Sequence, residues 1–224
     1  MRLLKALAVP PSEVRPGKKI PGGGGREALF LFSEENLKSP YFCAKGHKRG
    51  LKIKMGIRNN IDYFKGGLTS KGCHLIAVSK TQPVEKILEA YEAGQRAFGE
   101  NKVQELVDKF NSNLPKDIKW HLIGHLQRNK VKFIAPFVDL IHSVDSLKLL
   151  EEINKQGLKC DRVIPCLAQI FIADEDTKFG FDEIEFESLI ESGRLNILKN
   201  IRIEGLMGMA TLTEDQDKMR REFK

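Results

Sequence analysis

The sequence predicts an α/β protein, specifically a (β/α)8 barrel of the TIM type that is C-terminally truncated to about six βα units. From residue 74 onward, short apolar runs alternate with helical patterns, as in a parallel sheet with crossover helices. Polar residues and glycines follow one strand after another, and a barrel brings such strand ends to one face. Residues 55–224 hold six units, whereas a complete barrel has eight. An open, doubly wound sheet has the same periodicity and stays an alternative.

The strands and helices are predicted in order from apolar patterns and turn residues. Strands are expected at residues 74–78, 96–99, 119–123, 140–144, 163–172 and 201–206. Pro83 opens the first helix and Gly94 ends it. The apolar stripe of this helix is Val84, Ile87, Leu88 and Tyr91, and that of the next is Val103, Leu106, Val107 and Phe110. Further helices are expected around residues 129–135, 146–156 and 182–192, with another starting near Asp215.

The net charge of +7 is concentrated in the first 54 residues. They contain 12 Lys and Arg residues against 4 Asp and Glu, whereas the rest of the chain has 25 against 26. The same segment holds five of the nine prolines and seven of the 19 glycines, with one short apolar stretch at residues 28–32. We therefore expect residues 1–54 to be a basic, Gly/Pro-rich extension outside the fold. Residues 55–224 are expected to form the barrel domain, incomplete at its C-terminus.

Several classes of protein are excluded by the sequence. No apolar run approaches the roughly 20 residues needed to cross a bilayer, and the first nine residues are too short and too charged for a signal peptide. The four cysteines form no C-x-x-C pair, and no H-E-x-x-H, G-x-S-x-G or Walker sequence occurs. We expect a soluble cytoplasmic protein with no metal site, no membrane partner and no nucleic-acid partner.

Lys80 is the first candidate for chemistry. It ends the first predicted strand and has the parity of Ile76 and Val78, so its side chain should point the same way as theirs, into the sheet interior or the barrel mouth. A lysine held there loses part of its hydration, and its neutral amine is a nucleophile for aldehydes. A solvated lysine at a strand end is the alternative.

Three further candidates follow later strands. Asn101 comes directly after the second strand, where it could also cap the following helix. His121 and His125 lie four apart on a strand and loop rather than a helix, which favours packed or hydrogen-bonded histidines over a metal site. Lys178 follows the fifth strand, where it could meet an anionic ligand or simply be solvated.

Five motifs taken in order closely resemble the pyridoxal phosphate homeostasis protein family. The resemblance covers roughly residues 57–224 with collinear spacing. The motifs are Ala77-Val78-Ser79-Lys80-Thr81, Phe98-Gly99-Glu100-Asn101-Lys102-Val103-Gln104-Glu105, Trp120-His121-Leu122-Ile123-Gly124-His125-Leu126-Gln127-Arg128-Asn129-Lys130, His142-Ser143-Val144-Asp145-Ser146 and Gly205-Leu206-Met207-Gly208-Met209-Ala210.

The resemblance implies a barrel similar to the N-terminal domain of alanine racemase, with pyridoxal 5′-phosphate (PLP) held as a Schiff base on Lys80. It implies a cofactor-binding site to which Asn101, His121 and Met207 also contribute. It further implies a carrier without catalytic turnover, which keeps PLP available to apo-enzymes that need it. We expect this carrier to be a monomer.

The chain also departs from the family pattern. Residues 1–54 have no counterpart, and the last two barrel strands, which hold the phosphate in the family, are not present. The strands beginning near His74 and Ile201 are therefore expected to be open sheet edges. Two alternatives stay open: a PLP-dependent, racemase-like enzyme on the same barrel, and a basic module that binds nucleic acid or a protein partner through residues 1–54.

Overall fold

Seven parallel strands form one sheet in the part of the chain that the computed structural model describes, namely residues 28–32, 56–68, 73–172, 179–209, 211 and 215–222. Their spatial order is their sequence order, and each neighbouring pair is parallel. The strands are β1 (Ala28–Phe32), β2 (Cys73–Val78), β3 (Ala97–Glu100), β4 (Lys119–Leu122), β5 (Leu140–Val144), β6 (Ile164–Ile170) and β7 (Ile201–Gly208).

The strand order identifies the sheet as part of a barrel wall. A doubly wound sheet reverses its order at a switch point, whereas here each strand is added on the same side of the one before it. Because parallel crossovers are right-handed, this order places the crossover helices on one face. The predicted barrel architecture is confirmed, and the open doubly wound alternative is excluded.

Helices connect the strands and cover the outer face. They are α1 (Ile57–Leu68), α2 (Val84–Glu92), α3 (Val103–Phe110), α4 (Val131–Ile134), α5 (Leu147–Lys159), α6 (Glu183–Glu191) and α7 (Gln216–Glu222). Short 3-10 helices at Arg128–Lys130 and Arg194–Ile197 accompany them. The main core fills the space between these helices and the sheet, and its fully buried members include Leu106, Leu122, Ile141, Ile153 and Ile164. No helix in the described ranges has the length and apolarity to cross a bilayer.

The sheet curves so that its inner face is concave. Ile76 of β2 and Ile123, which directly follows β4, form an inner cluster although β3 lies between their strands. They meet over Gly99 of β3, where an added Cβ would lie 3.0 Å from Ile123 and 3.2 Å from Ile76. Glycine at this position therefore leaves room for the two isoleucines to contact each other on the inner face.

All six strands predicted from the sequence are present, with bounds that differ by a few residues. The prediction for β5 is correct at both ends, whereas β7 continues two residues further and β6 is shorter. The helix expected at residues 129–135 consists of a 3-10 turn followed by α4. Strand ends are set by the partner strand's hydrogen bonds, which is why an apolar run alone misplaces them.

The sequence analysis did not predict α1. This helix packs Ile61 into the main core and carries two donors for the C-terminal carbonyls of α2. Arg58 donates to the carbonyl oxygen of Glu92 at 3.1 Å, and Lys65 donates to that of Gly94 at 2.8 Å. Cationic side chains are stabilising near the C-terminus of a helix. These contacts with α2 hold α1 in place, and its own apolar pattern is too weak to predict it.

A second unpredicted element, β1, lies within the segment expected to be outside the fold. Its backbone pairs with β2 over five residues, from Ala28 with Cys73 to Phe32 with Ala77. Residues 28–32 are therefore part of the sheet, contrary to the expectation that they lie outside the fold. The edge of β2 near His74 is paired rather than open, also contrary to expectation. A five-residue apolar run forms a strand here because β2 supplies its hydrogen-bond partners. Residues 1–27 and 33–55, with most of the proposed basic arm, lie outside the described residues.

Candidate functional site

Lys80 lies in the turn that directly follows β2 and is half-buried. The preceding Ser79 continues the sheet, since its N–H donates to the carbonyl oxygen of Gly99 at 3.0 Å. The following Thr81 has a positive φ of 62°, which turns the chain away from the strand. Within the described ranges, no carboxylate pairs with the Lys80 amine. The structure therefore places the Lys80 amine at the carboxyl end of β2, with no carboxylate of the described residues bound to it.

A buried ion cluster lies beside this turn. The Nζ atom of Lys109 lies 2.7 Å from Oε1 of Glu100 and 2.8 Å from Oε1 of Glu105. It also donates to the carbonyl oxygen of Ser79 at 2.6 Å. Ser79 Oγ donates in turn to Glu100 Oε1 at 2.6 Å. The cluster joins the ends of β2 and β3 to helix α3.

The two carboxyl groups of the cluster differ in their environments. Glu100 is completely buried, and this burial raises its pKa above the ordinary range despite the hydrogen bonds from Lys109 and Ser79. Burial also acts to raise the pKa of Glu105, but hydrogen bonds from Lys109 and from the Thr81 N–H outweigh it and hold that pKa below the ordinary range. Glu105 is thus the carboxylate that stays charged over the wider pH range.

Asn101 does not cap helix α3, so the capping alternative is wrong. The N-cap residue is Lys102, and no side chain accepts a hydrogen bond at this helix start. The Oδ1 atom of Asn101 is buried and has no hydrogen-bond partner among the described residues. The Asn101 backbone instead packs against Gly124, where an added Cβ would be 2.3 Å from the Asn101 carbonyl oxygen. The orphaned Oδ1 is an acceptor that a ligand's donor could satisfy.

His121 lies in β4 on the inner face and pairs with a histidine of the next strand. Its Nδ1 atom is 2.9 Å from Nε2 of His142 in β5. Both residues are buried, and the Nδ1 atom of His142 has no partner in the described part of the chain. The prediction that His121 is a hydrogen-bonded histidine rather than a metal ligand agrees with this contact. No group of three or more possible metal ligands occurs within the described ranges.

Met207 and His125 belong to later elements than Lys80, namely β7 and the loop after β4. Met207 of β7 is buried on the inner face in a cluster with Leu140 and Leu167. His125 is exposed in the loop after β4, with Nδ1 3.3 Å from Oδ2 of Asp145. Lys178, the proposed partner of an anion, lies outside the described residues.

The candidate residues lie on four different strands or strand ends of the sheet. Lys80, Asn101 and His121 belong to the consecutive strands or strand ends of β2, β3 and β4, whereas Met207 is three strands further along. The sequence analysis assigned no role to His142 or Lys109. The signal for His142 was a histidine inside the short strand pattern of β5. The signal for Lys109 was its spacing of four from Glu105 on a helix.

Comparison with known proteins assigns the chain to a family. The family model described as "Alanine racemase, N-terminal domain" matches residues 55–224. The pyridoxal phosphate homeostasis protein of Vibrio alginolyticus is 39% identical over 166 residues, which are 72% of this chain and 70% of that protein. The protein of the same name from Pasteurella multocida is 41% identical over 143 residues, or 63% of this chain and 60% of that protein.

Solved structures give the same result. PipY of Synechococcus elongatus, solved with PLP bound, superposes with a TM-score of 0.68 at 34% identity, covering 75% of this chain and 77% of PipY. An alanine racemase from Bartonella henselae has a TM-score of 0.57 at 17% identity, covering 75% of this chain and 47% of the racemase, which shows a shared fold alone. The chain belongs to the alanine racemase N-terminal-domain family and, within it, to the pyridoxal phosphate homeostasis proteins.

Proposed function

We propose that this chain binds PLP through the amine of Lys80 and takes part in PLP homeostasis. The observation that carries the proposal is the Lys80 side chain itself, half-buried at the end of β2 and without a carboxylate partner in the described ranges. A lysine amine that no carboxylate engages is available to attack an aldehyde carbon. The relatives named as pyridoxal phosphate homeostasis proteins and the PLP-bound structure of PipY support the choice of ligand.

The polar atoms near the strand ends fit such a ligand. Asn101 Oδ1 and His142 Nδ1 are buried atoms without partners in the described chain, and each could meet a polar group of a bound molecule. PLP supplies an aldehyde carbon that exchanges between amines. We assign Asn101 and His121 to the wall of the binding site, and Met207 to its apolar side. The matched segment spans 70% of the first relative's length and 60% of the second's. The proposal therefore concerns the residues of this segment.

Borohydride reduction in the presence of PLP tests the lysine. We expect a pyridoxyl adduct on Lys80 in peptide mass mapping, and at least a tenfold loss of total adduct in Lys80→Arg. Lys102→Arg is the matched control, because Lys102 is exposed beside the same strand ends. An adduct confined to another lysine, with Lys80 unmodified, would sink the assignment.

We further propose that the protein carries PLP rather than turning over substrates. The names of the relatives support this role, since they describe homeostasis and no reaction. Recipients would be apo-enzymes that need PLP. A racemase-like enzyme is the alternative, and it would need proton-transfer groups on both faces of the cofactor.

Exchange of the α-proton of alanine in D2O distinguishes a carrier from a racemase. With the PLP-loaded chain we expect no more deuterium at Cα, measured by NMR, than with free PLP. Faster exchange that is lost in Lys80→Arg would favour the enzyme. Transfer across a dialysis membrane to an apo-enzyme, followed by recovery of that enzyme's activity, tests the carrier role directly.

A further inference from the structure

Both neighbours of Lys80 are bound to the buried ion cluster. On one side, the Ser79 carbonyl oxygen accepts from Lys109 Nζ at 2.6 Å. On the other side, the Thr81 N–H donates to Glu105 Oε1 at 2.5 Å. Lys109 and Glu105 pair with each other one turn apart on α3. The backbone on each side of Lys80 is thus held by the same helix.

The turn held in this way is strained. Thr81 has a φ of 62°, and a β-branched residue rarely adopts the left-handed region. Such a conformation persists only when its surroundings impose it. The hydrogen bond from the Thr81 N–H to Glu105 is the contact that opposes its relaxation. The direction in which the chain leaves Lys80 therefore depends on α3.

The cluster also controls the charge around Lys80. Two carboxyl groups, Glu100 and Glu105, lie at this end of the sheet, and Glu105 contacts the residue directly after Lys80. Lys109 engages both, with a side chain only 8% exposed. A buried cation with two anions is costly to disrupt, because removing one partner leaves the others without compensation. In the described part of the chain, Lys109 pairs with both carboxylates and Lys80 pairs with neither.

We propose that Lys109 is a positioning residue for Lys80, which fixes the Ser79–Thr81 turn and sequesters the carboxylates that would otherwise pair with the Lys80 ammonium. This inference rests on the proposed use of the Lys80 amine. Without Lys109, Glu105 can release the Thr81 N–H and pair with Lys80. That pair would hold the amine against a carboxylate and make it a poorer nucleophile. The charged groups that face this turn are Glu100 from β3, Glu105 and Lys109 from α3, and Lys102 before α3.

Competitive labelling with trace acetic anhydride tests the proposal on the full chain without PLP. The rate of acetylation of each lysine is measured by peptide mass between pH 7 and 11, with exposed Lys116 as an internal control. In Lys109→Met we expect Lys80 labelling at pH 7.5 to fall at least tenfold. The double variant K109M/E105Q should recover most of the labelling, because the released carboxylate is gone. Lys109→Arg should stay within threefold of the unmodified chain.

Several outcomes would overturn the proposal. The first is an unchanged acetylation rate of Lys80 in folded Lys109→Met. The second is an equal fall in the acetylation rates of Lys80 and Lys116, and the third is no recovery of Lys80 acetylation in the double variant. If circular dichroism shows that Lys109→Met is unfolded, the labelling of Lys80 in Glu105→Gln tests the proposal instead. That variant keeps an acceptor for Thr81 and removes a carboxylate, so Lys80 labelling should not fall, and a tenfold fall refutes the proposal. Because acetylation uses no PLP, a failure of PLP binding at Lys80 would appear separately in the borohydride experiment.

Discussion

His121 and His142 form a direct ring-to-ring hydrogen bond on the inner face of the barrel wall, with 2.9 Å between Nδ1 of the first and Nε2 of the second. Burial, with a smaller effect of Lys119, lowers the pKa of His121 to about 4. Burial, with a smaller effect of His121, holds the pKa of His142 well below its ordinary value. Both rings are therefore neutral at pH 7, and one ring N–H donates to the other ring's nitrogen.

The histidine pair predicts a loss of stability in mild acid. An unfolded histidine binds a proton below about pH 6.5, whereas these folded histidines do not, so the unfolded state holds more protons as the pH falls. Each should remove about 1.4 kcal/mol of unfolding free energy per pH unit, from roughly pH 6.5 down toward pH 4 for His121. Urea titrations at pH 7, 6 and 5 measure this slope. His142→Gln should reduce the slope by about one histidine's share. Equal slopes in the two proteins would contradict the prediction.

The contact between Gly124 and Asn101 predicts that Gly124→Ala is strongly destabilising. The new Cβ would lie 2.3 Å from the Asn101 carbonyl oxygen and 2.7 Å from its Cα, and backbone cannot move aside as a flexible side chain can. We expect a loss of about 1 to 3 kcal/mol, typical of overpacking in a tight site. Gly66→Ala in α1 is the control, since nothing lies within 4 Å of its Cβ position. There we expect a gain of up to about 1 kcal/mol in chemical denaturation. A Gly124→Ala variant as stable as the control would refute the contact.

The hydrogen bonds of Arg162 predict a loss of stability in Arg162→Ala. Its guanidinium donates to the carbonyl oxygens of Ala135 at 2.6 Å and Val138 at 2.9 Å, which joins the loop after α4 to the start of β6. Hydrogen bonds from a charged donor contribute about 1.5 to 3 kcal/mol each. Arg162→Ala should therefore reduce the unfolding free energy by about 3 kcal/mol. Exposed Arg202→Ala, which removes the surface pair with Glu204, should cost under about 1 kcal/mol. Similar midpoints for the two variants would show that the Arg162 contacts contribute little.

The pairing of β1 with β2 predicts the effect of removing residues 1–54. The amides of Cys73–Val78 that face β1 should exchange with deuterium faster, because their acceptors are gone. The Ser79 amide should keep its protection, since it bonds to Gly99 of β3. The exposed edge should also increase self-association, measured by sedimentation. If the β2 amides exchange equally in the full and shortened chains, β1 does not cover this edge in solution.

The sequence predicted the barrel well because its main signals are local. Apolar runs followed by helical stripes locate β2 to β7 and their helices, and each run needs no information from distant residues. The same local reasoning placed Lys80 at a strand end, where the structure has it. It missed β1 and misjudged Asn101 as a possible cap. A five-residue strand depends on its partner's backbone, and the true cap position depends on where α3 begins, at Val103.

By itself, the sequence determined the repeating βα pattern, the residues at the strand ends and the family resemblance that points to Lys80. Only the tertiary structure decided which side chains meet. His121 and His142 are 21 residues apart, and Lys109 and Ser79 are 30 apart, yet each pair lies within hydrogen-bond distance. Hydrophobic periodicity specifies which face of an element is buried, but contacts across strands depend on register and on sheet curvature. These are properties of the assembled wall, and they decide that Lys109, rather than Lys80, holds the carboxylates.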